Sequence, residues 1–249
     1  TGQFNDAFGY WALLGNTTGQ ANVGMGFGAL YSNRVMQGNT AIGYNALYYA
    51  NDTVVGGTST YNTAVGYQAL KGSTTASANT ATRNTAVGGR TLMNYTTGGS
   101  NTAVGAGALE NTAAGDNNVA VGDSALFSNS GGRYNVAVGK DALYYANSAA
   151  AATQMNNIAI GFEALRGSTT AASNTGYANI AIGSRTLKNN TTGDSNVAIG
   201  SADSASALAG AMENNTIGKE NVAVGFAALS ANVGGYRSTA VGYMAMRYA

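Results

Sequence analysis

Cysteine, histidine and proline are all missing from this 249-residue chain. Without cysteine there are no disulfides, no thiolate nucleophiles and few of the usual zinc sites. Without histidine the commonest general base and metal ligand is gone. Charge is scarce too: 12 Lys and Arg against 11 Asp and Glu give a net charge of +1 at pH 7. A near-neutral surface offers no basic footprint for nucleic acid and no polybasic patch for an anionic membrane. Long apolar runs are lacking, and the opening Thr1-Gly2-Gln3-Phe4 has neither the charged nor the apolar region of a signal peptide. These absences argue against an enzyme. No catalytic, cofactor-binding or metal-ligating residue stands out, and neither a nucleic-acid partner nor membrane insertion in this segment is expected. Zero cysteine leaves the redox compartment open.

What is present is a repeat, rich in the chain's 36 glycines. A nine-residue motif, Asn-(Thr/Val/Ile)-Ala-(Val/Ile)-Gly-x-x-Ala-Leu, begins most clearly at Asn39, Asn62, Asn101, Asn118, Asn135, Asn157 and Asn221. Variants begin at Asn5, Asn22, Asn84, Asn179, Asn196 and Ser238, making thirteen copies at spacings of 17 to 25 residues. A higher period of 95 to 96 residues spans five copies: Leu47-Tyr48-Tyr49-Ala50-Asn51 returns as Leu143-Tyr144-Tyr145-Ala146-Asn147, and Arg90-Thr91-Leu92 as Arg185-Thr186-Leu187. A fixed period of this kind marks a stacked repeat architecture, expected here as a single repetitive domain over residues 1–249 that reads as an excerpt of a longer fibre.

Within each copy the first five residues alternate with period two, which signals a strand. The fourth position is always large and apolar, from Phe8 and Met25 to Val241, and is expected to face a core. The third is Ala in twelve copies and Gly24 in the other, so both strand faces are expected to be covered. The fifth is always glycine: Gly9, Gly26, Gly43, Gly66, Gly88, Gly105, Gly122, Gly139, Gly161, Gly183, Gly200, Gly225 and Gly242. Glycine in thirteen registers implies a positive φ or a contact too close for a Cβ, as at the corner of a coil. The ninth is Leu in eleven copies, with Met246 in the last; Ser204 stands there in the 25-residue copy, where Leu208 is expected to take its place. Linkers such as Asn16-Thr17-Thr18-Gly19 and Asn190-Thr191-Thr192-Gly193 are turn chemistry, so sequon-like Asn16, Asn94, Asn189, Asn190 and Asn214 read as turn residues.

Each 17-residue unit is therefore read as one rung of a parallel β-solenoid, with two short strands and two turns, and the longer units as the same rung with a bulged loop. Thirteen rungs at ~4.8 Å each would make a rod on the order of 60 Å long, with the motif Asn residues in a hydrogen-bonded ladder. A narrow coil buries little apolar surface alone, so identical chains are expected beside it.

Asn-x-Ala-(Val/Ile)-Gly-x-x-Ala resembles the head repeats of the YadA-like trimeric autotransporter adhesins, and the fuller form with Ala-Leu and Asn-Thr-Thr-Gly linkers is similar to phage and injection-system tail-fibre shafts. The resemblance covers essentially the whole chain. It implies a left-handed β-roll, a homotrimer, an extracellular place on a cell surface or virion, and attachment to a host receptor or surface glycan. The chain departs from the YadA-like pattern in its rung of 17 or 22 residues and in losing the Ser after the corner glycine in most copies. A self-assembling extracellular filament or sheath is the alternative reading.

Among candidate contact residues the excess is tyrosine, fifteen against one tryptophan. Tyr48, Tyr49, Tyr144, Tyr145, Tyr10 and Trp11 are the candidates for receptor or inter-chain contact, with sealing of a chain–chain interface the favoured role. Gly24-Met25-Gly26-Phe27-Gly28 mimics a phosphate loop but falls in register with the other corners.

Overall fold

The computed structural model describes residues 2–50, 59–75, 78–146, 153–170, 173–202 and 209–248, and is all-β, with no α-helix among them. Its strands are Asp6–Phe8 (β1), Val23–Met25 (β2), Thr40–Ile42 (β3), Thr63–Val65 (β4), Thr85–Val87 (β5), Thr102–Val104 (β6), Val119–Val121 (β7), Gly132–Arg133 (β8), Val136–Val138 (β9), Thr153–Gln154 (β10), Ile158–Ile160 (β11), Ile180–Ile182 (β12), Val197–Ile199 (β13), Val222–Val224 (β14) and Thr239–Val241 (β15). Thirteen of these are positions two to four of the thirteen motif copies, so the repeat is the fold.

Contacts divide the chain into two compact units, 1–120 and 121–249. In the first, the strands stack parallel in chain order from β1 onward, with like positions opposite each other: Thr40 pairs with Thr63, Ala41 with Ala64 and Ile42 with Val65. In the second, the order is β9, β11, β12, β13, β14 and β15, with the same register. This is a parallel β-solenoid, as the spacing predicts. The expected second strand of each rung is smaller than anticipated. It survives as the two-stranded β8–β10 ladder and as single bridges such as Gln37 to Ser59 and Thr82 to Gly99.

Every corner glycine has a positive φ, between 122° at Gly26 and 156° at Gly200. A Cβ built on Gly43 would lie 2.5 Å from the carbonyl oxygen of Gly66, and one on Gly66 would lie 2.4 Å from that of Gly88. Both reasons for glycine therefore hold at once: left-handed backbone, and rungs that touch corner to corner.

The inward and outward faces are the reverse of the expectation. Apart from Ala7 in the first rung, the third-position alanines are buried in both units, for example Ala41, Ala64 and Ala103 and then Ala159, Ala181 and Ala198, and the fourth-position residues point out. Ile42 is 39% exposed, Val87 37%, Ile160 39% and Ile199 38%. The coil is narrow, so the strand face turned inward has room for a methyl group and none for a branched side chain. The interior is completed by the motif Asn, the eighth-position Ala or Thr and the ninth-position Leu, all buried in rung after rung.

A second feature is absent from the motif's apparent chemistry. The ninth residue is left-handed in every rung, from Leu13 (φ 53°) and Leu30 (54°) to Leu229 (50°) and Met246 (48°). The seventh residue is left-handed too in most rungs, as in Gln68 (53°), Arg90 (58°), Asp141 (56°) and Glu163 (52°). Left-handed backbone costs an L-residue roughly 1–2 kcal/mol. The return is a tight chain of turns: Ala12 N–H donates to Gly9 O at 3.3 Å, and Leu14 N–H to Trp11 O at 3.4 Å. Each turn has its left-handed residue third, where a type II turn needs one. Alternate N–H groups of these turns then point along the stack, so Leu30 N–H reaches Ala46 O and Leu47 N–H reaches Ala69 O, both at 3.0 Å. In the 25-residue rung, Met212 (φ 48°, fully buried) fills the ninth-position column, correcting the assignment to Leu208, which lies outside the described residues.

The asparagine ladder is present as expected. In the first unit Asn22, Asn39, Asn84, Asn101 and Asn118 each donate their backbone N–H and side-chain amide to the Oδ1 of the motif Asn one rung earlier, at 2.9–3.2 Å. In the second, Asn179, Asn196 and Asn221 repeat the pattern, and Ser238 ends it with its backbone N–H alone. A further interior column runs through the linkers, where Asn215 donates to Asn190 at 3.0 Å and Asn232 to Asn215 at 3.1 Å. Asn16 and Asn190 also close their own turns onto Gly19 and Gly193, which is the turn role read for them.

Candidate functional site

With the asparagine ladder inside, the outer surface carries the candidate contact residues. Three columns matter: the fourth position, the residue after the corner glycine, and the residue after the ninth position.

The fourth-position column is apolar throughout and half-exposed, so each unit carries an aliphatic stripe one residue wide. Natural surfaces do not normally keep β-branched residues aligned in open water.

The after-corner column holds rings that stack because successive rungs are a strand spacing apart. Phe27 and Tyr44 lie 5.1 Å apart at 7°, and Tyr44 and Tyr67 5.4 Å apart at 15°. Tyr10 begins the same column, 5.7 Å from Phe27, and Trp11 tilts against both of them. In the second unit Phe226 stacks on Tyr243 at 5.4 Å. The after-Leu column brings Tyr31 onto Tyr48 and Phe127 onto Tyr144, both at 4.8 Å.

The paired tyrosines behave alike in the two super-repeats. Tyr48 meets Tyr49 edge-on, and Tyr144 meets Tyr145 edge-on. Lys71 sits 5.7 Å over the Tyr49 ring, and its counterpart Arg166 sits 5.1 Å over that of Tyr145. Desolvation, then the neighbouring Tyr31, Tyr49 and Tyr44, raises the Tyr48 phenol above its ordinary pKa. Thus Tyr10 stands at the after-corner position with Trp11 packed against it, and Tyr48 and Tyr144 stand at the after-Leu position with Tyr49 and Tyr145 packed beside them. All six remain partly or well exposed on the chain.

Phe27, Tyr44, Phe162 and Phe226 were not singled out in the sequence, although their signal is simple: each directly follows a corner glycine. A charged feature was also missed. Arg90 is paired with the buried Glu110, and Arg185 with the buried Glu213, linking neighbouring rungs at equivalent places in the super-repeat. Lys188 Nζ reaches Glu163 Oε2 at 2.7 Å, and Lys219 Nζ reaches Asp194 Oδ2 at 3.0 Å. Among the described residues no three acidic side chains gather into a metal cage.

Comparison with protein families, curated proteins and solved structures finds no match to this chain. Its function must be argued from its own columns.

Proposed function

We propose that this chain is the rod segment of an extracellular attachment fibre, displayed on a cell surface or a virion tail, and that it works as a homotrimer. The observation that carries the reading is the aliphatic stripe. Position four keeps Val, Ile, Met or Phe in every rung, yet points away from the chain's own interior. An identical stripe on a second and third copy is a self-complementary cover for it, rung against rung. Each apolar side chain so covered contributes on the order of 1 kcal/mol, a gain repeated at every rung.

Three chains, rather than two, follow from the resemblance to the YadA-like heads. The outward rings and the inter-rung ion pairs are left on the flanks of such a trimer as the surface that meets a receptor or glycan. Multi-angle light scattering on the purified chain tests the assembly. A particle of three chains is the expected result, and a monomer at micromolar concentration would overturn it. An open-ended polymer would favour the filament or sheath instead.

A further inference from the structure

At the same point of the 95-residue super-repeat in both units, an after-corner ring is followed by a rung with no ring there: Tyr67 by Gly89, and Phe162 by Ser184. In the first, the stack of Phe27, Tyr44 and Tyr67 stops because the next rung carries Gly89, where an added Cβ would meet nothing within 4 Å. Beside that step stands Arg90, tied to the buried Glu110.

In the second, Phe162 takes the place of Tyr67, Ser184 that of Gly89 and Arg185 that of Arg90. Arg185 donates to Glu213 Oε1, while Glu213 Oε2 accepts the Gly210 N–H at 2.7 Å. Here the missing ring leaves a groove of about 500 Å³ lined by Phe162, Glu163, Ser184, Arg185, Lys188 and Ala202. Its floor is one aromatic face, and its walls are a hydroxyl, a carboxylate and two cations. Glu163 is bound by Lys188 and faces Arg166 at 3.5 Å, with Asp141 close enough to feel both Glu163 and Arg166. The Nε of Arg185 is buried with no hydrogen-bond partner.

We propose that the Phe162 groove binds a carboxylate-bearing pyranose of an acidic polysaccharide, its ring laid on Phe162 in the place the next rung leaves empty. A pyranose has an apolar C–H face and a rim of hydroxyls, which matches an aromatic floor with polar walls. An aromatic protein side chain would cover the floor and strand the polar walls without partners, a costly desolvation. The unpartnered Nε–H of Arg185 in the groove lining is a charged donor that a sugar carboxylate satisfies better than a neutral hydroxyl does.

This site rests on the attachment reading, and the two can fail separately. The test is calorimetric titration of the whole chain with a hexasaccharide of alternating uronic acid and N-acetylhexosamine, beside a neutral glucose hexamer. The acidic sugar is expected to bind, with the neutral one about tenfold weaker or more, which corresponds to about 1.4 kcal/mol. Phe162→Ala removes the floor, and Ser184→Phe fills the groove while deleting nothing; each is expected to weaken binding at least about tenfold. Thr18→Ala, on an exposed linker outside the three columns, is expected to leave it unchanged. Circular dichroism confirms the fold of each variant, and Ser184→Phe carries the test if Phe162→Ala misfolds. Wild-type affinity in a folded Ser184→Phe chain, equal affinity for the neutral hexamer, or no saccharide binding by a trimer would overturn the site and spare the fibre. A monomer that binds the acidic sugar as described would overturn the trimer and spare the site.

Discussion

Asn84 Oδ1 accepts two hydrogen bonds from Asn101, one from its backbone N–H and one from its side-chain amide, both at 3.0 Å. The same Asn101 amide also reaches Gly99 O and Gly115 O, and its own Oδ1 accepts from the Asn118 backbone and side chain. One buried residue therefore ties three rungs together. Asn101→Ala would leave several buried groups unpaired and is expected to cost about 2–4 kcal/mol. Asn101→Asp, which replaces the donating amide with a second acceptor in front of three oxygens, should cost more. Denaturant unfolding of both variants against the parent measures the order.

The corner glycines and Gly89 make a matched pair of tests. At Gly43 a methyl group would sit 2.5 Å from Gly66 O on a backbone with φ of 131°. Gly43→Ala is therefore expected to lose more than ~2 kcal/mol, whereas Gly89→Ala, entering open space, should stay within ~0.5 kcal/mol of the parent. Thermal melts of the two variants check this; equal losses would mean that the corner contact carries no special weight.

Val87 tests the outward stripe. Its side chain leaves the chain's own core, so Val87→Asp is expected to keep the circular dichroism spectrum of the parent and to shift the trimer toward monomer. Light scattering at several concentrations reads the change. A variant that unfolds as a monomer would return the fourth position to the interior.

Asp141 supplies a pH test. Burial raises its carboxyl above the ordinary range, helped by Asp123 and Glu163 and opposed by Lys140 and Arg166. A carboxyl whose pKa is higher folded than unfolded holds its proton better in the native state. The stability it adds is present below the unfolded pKa and is lost as pH rises through the folded one. At pH 7 Asp141 therefore weakens the fold, and Asp141→Asn should melt higher. That advantage should shrink as pH falls through the carboxylate range. An advantage constant with pH would instead be the preference of Asn for the left-handed backbone at this position, where φ is 56°.

Much of this molecule can be read from residue order. The spacing of the motif gives the rung, invariant glycine gives the corner, and the recurring Asn gives the ladder, because a stacked coil places like on like. The aromatic columns are legible only in part. Tyr48 and Tyr144 draw attention as doublets, while Phe162 is one aromatic residue among many until the rung above it is seen to carry Ser184. A groove made by a missing ring has no letter of its own in the sequence.

The sequence by itself determined the parallel register, the thirteen corners and the length of each rung, since the motif recurs with its corner glycine in every copy and the spacing between copies is read directly. Tertiary structure alone decided which strand face turns inward. Alternation marks two faces and ranks neither, and hydrophobicity ranks them wrongly here. A coil this narrow admits alanine at Ala41 and excludes the larger Ile42, so steric space at the axis outweighs the pull of apolar area, and the branched side chains go outside to find their cover.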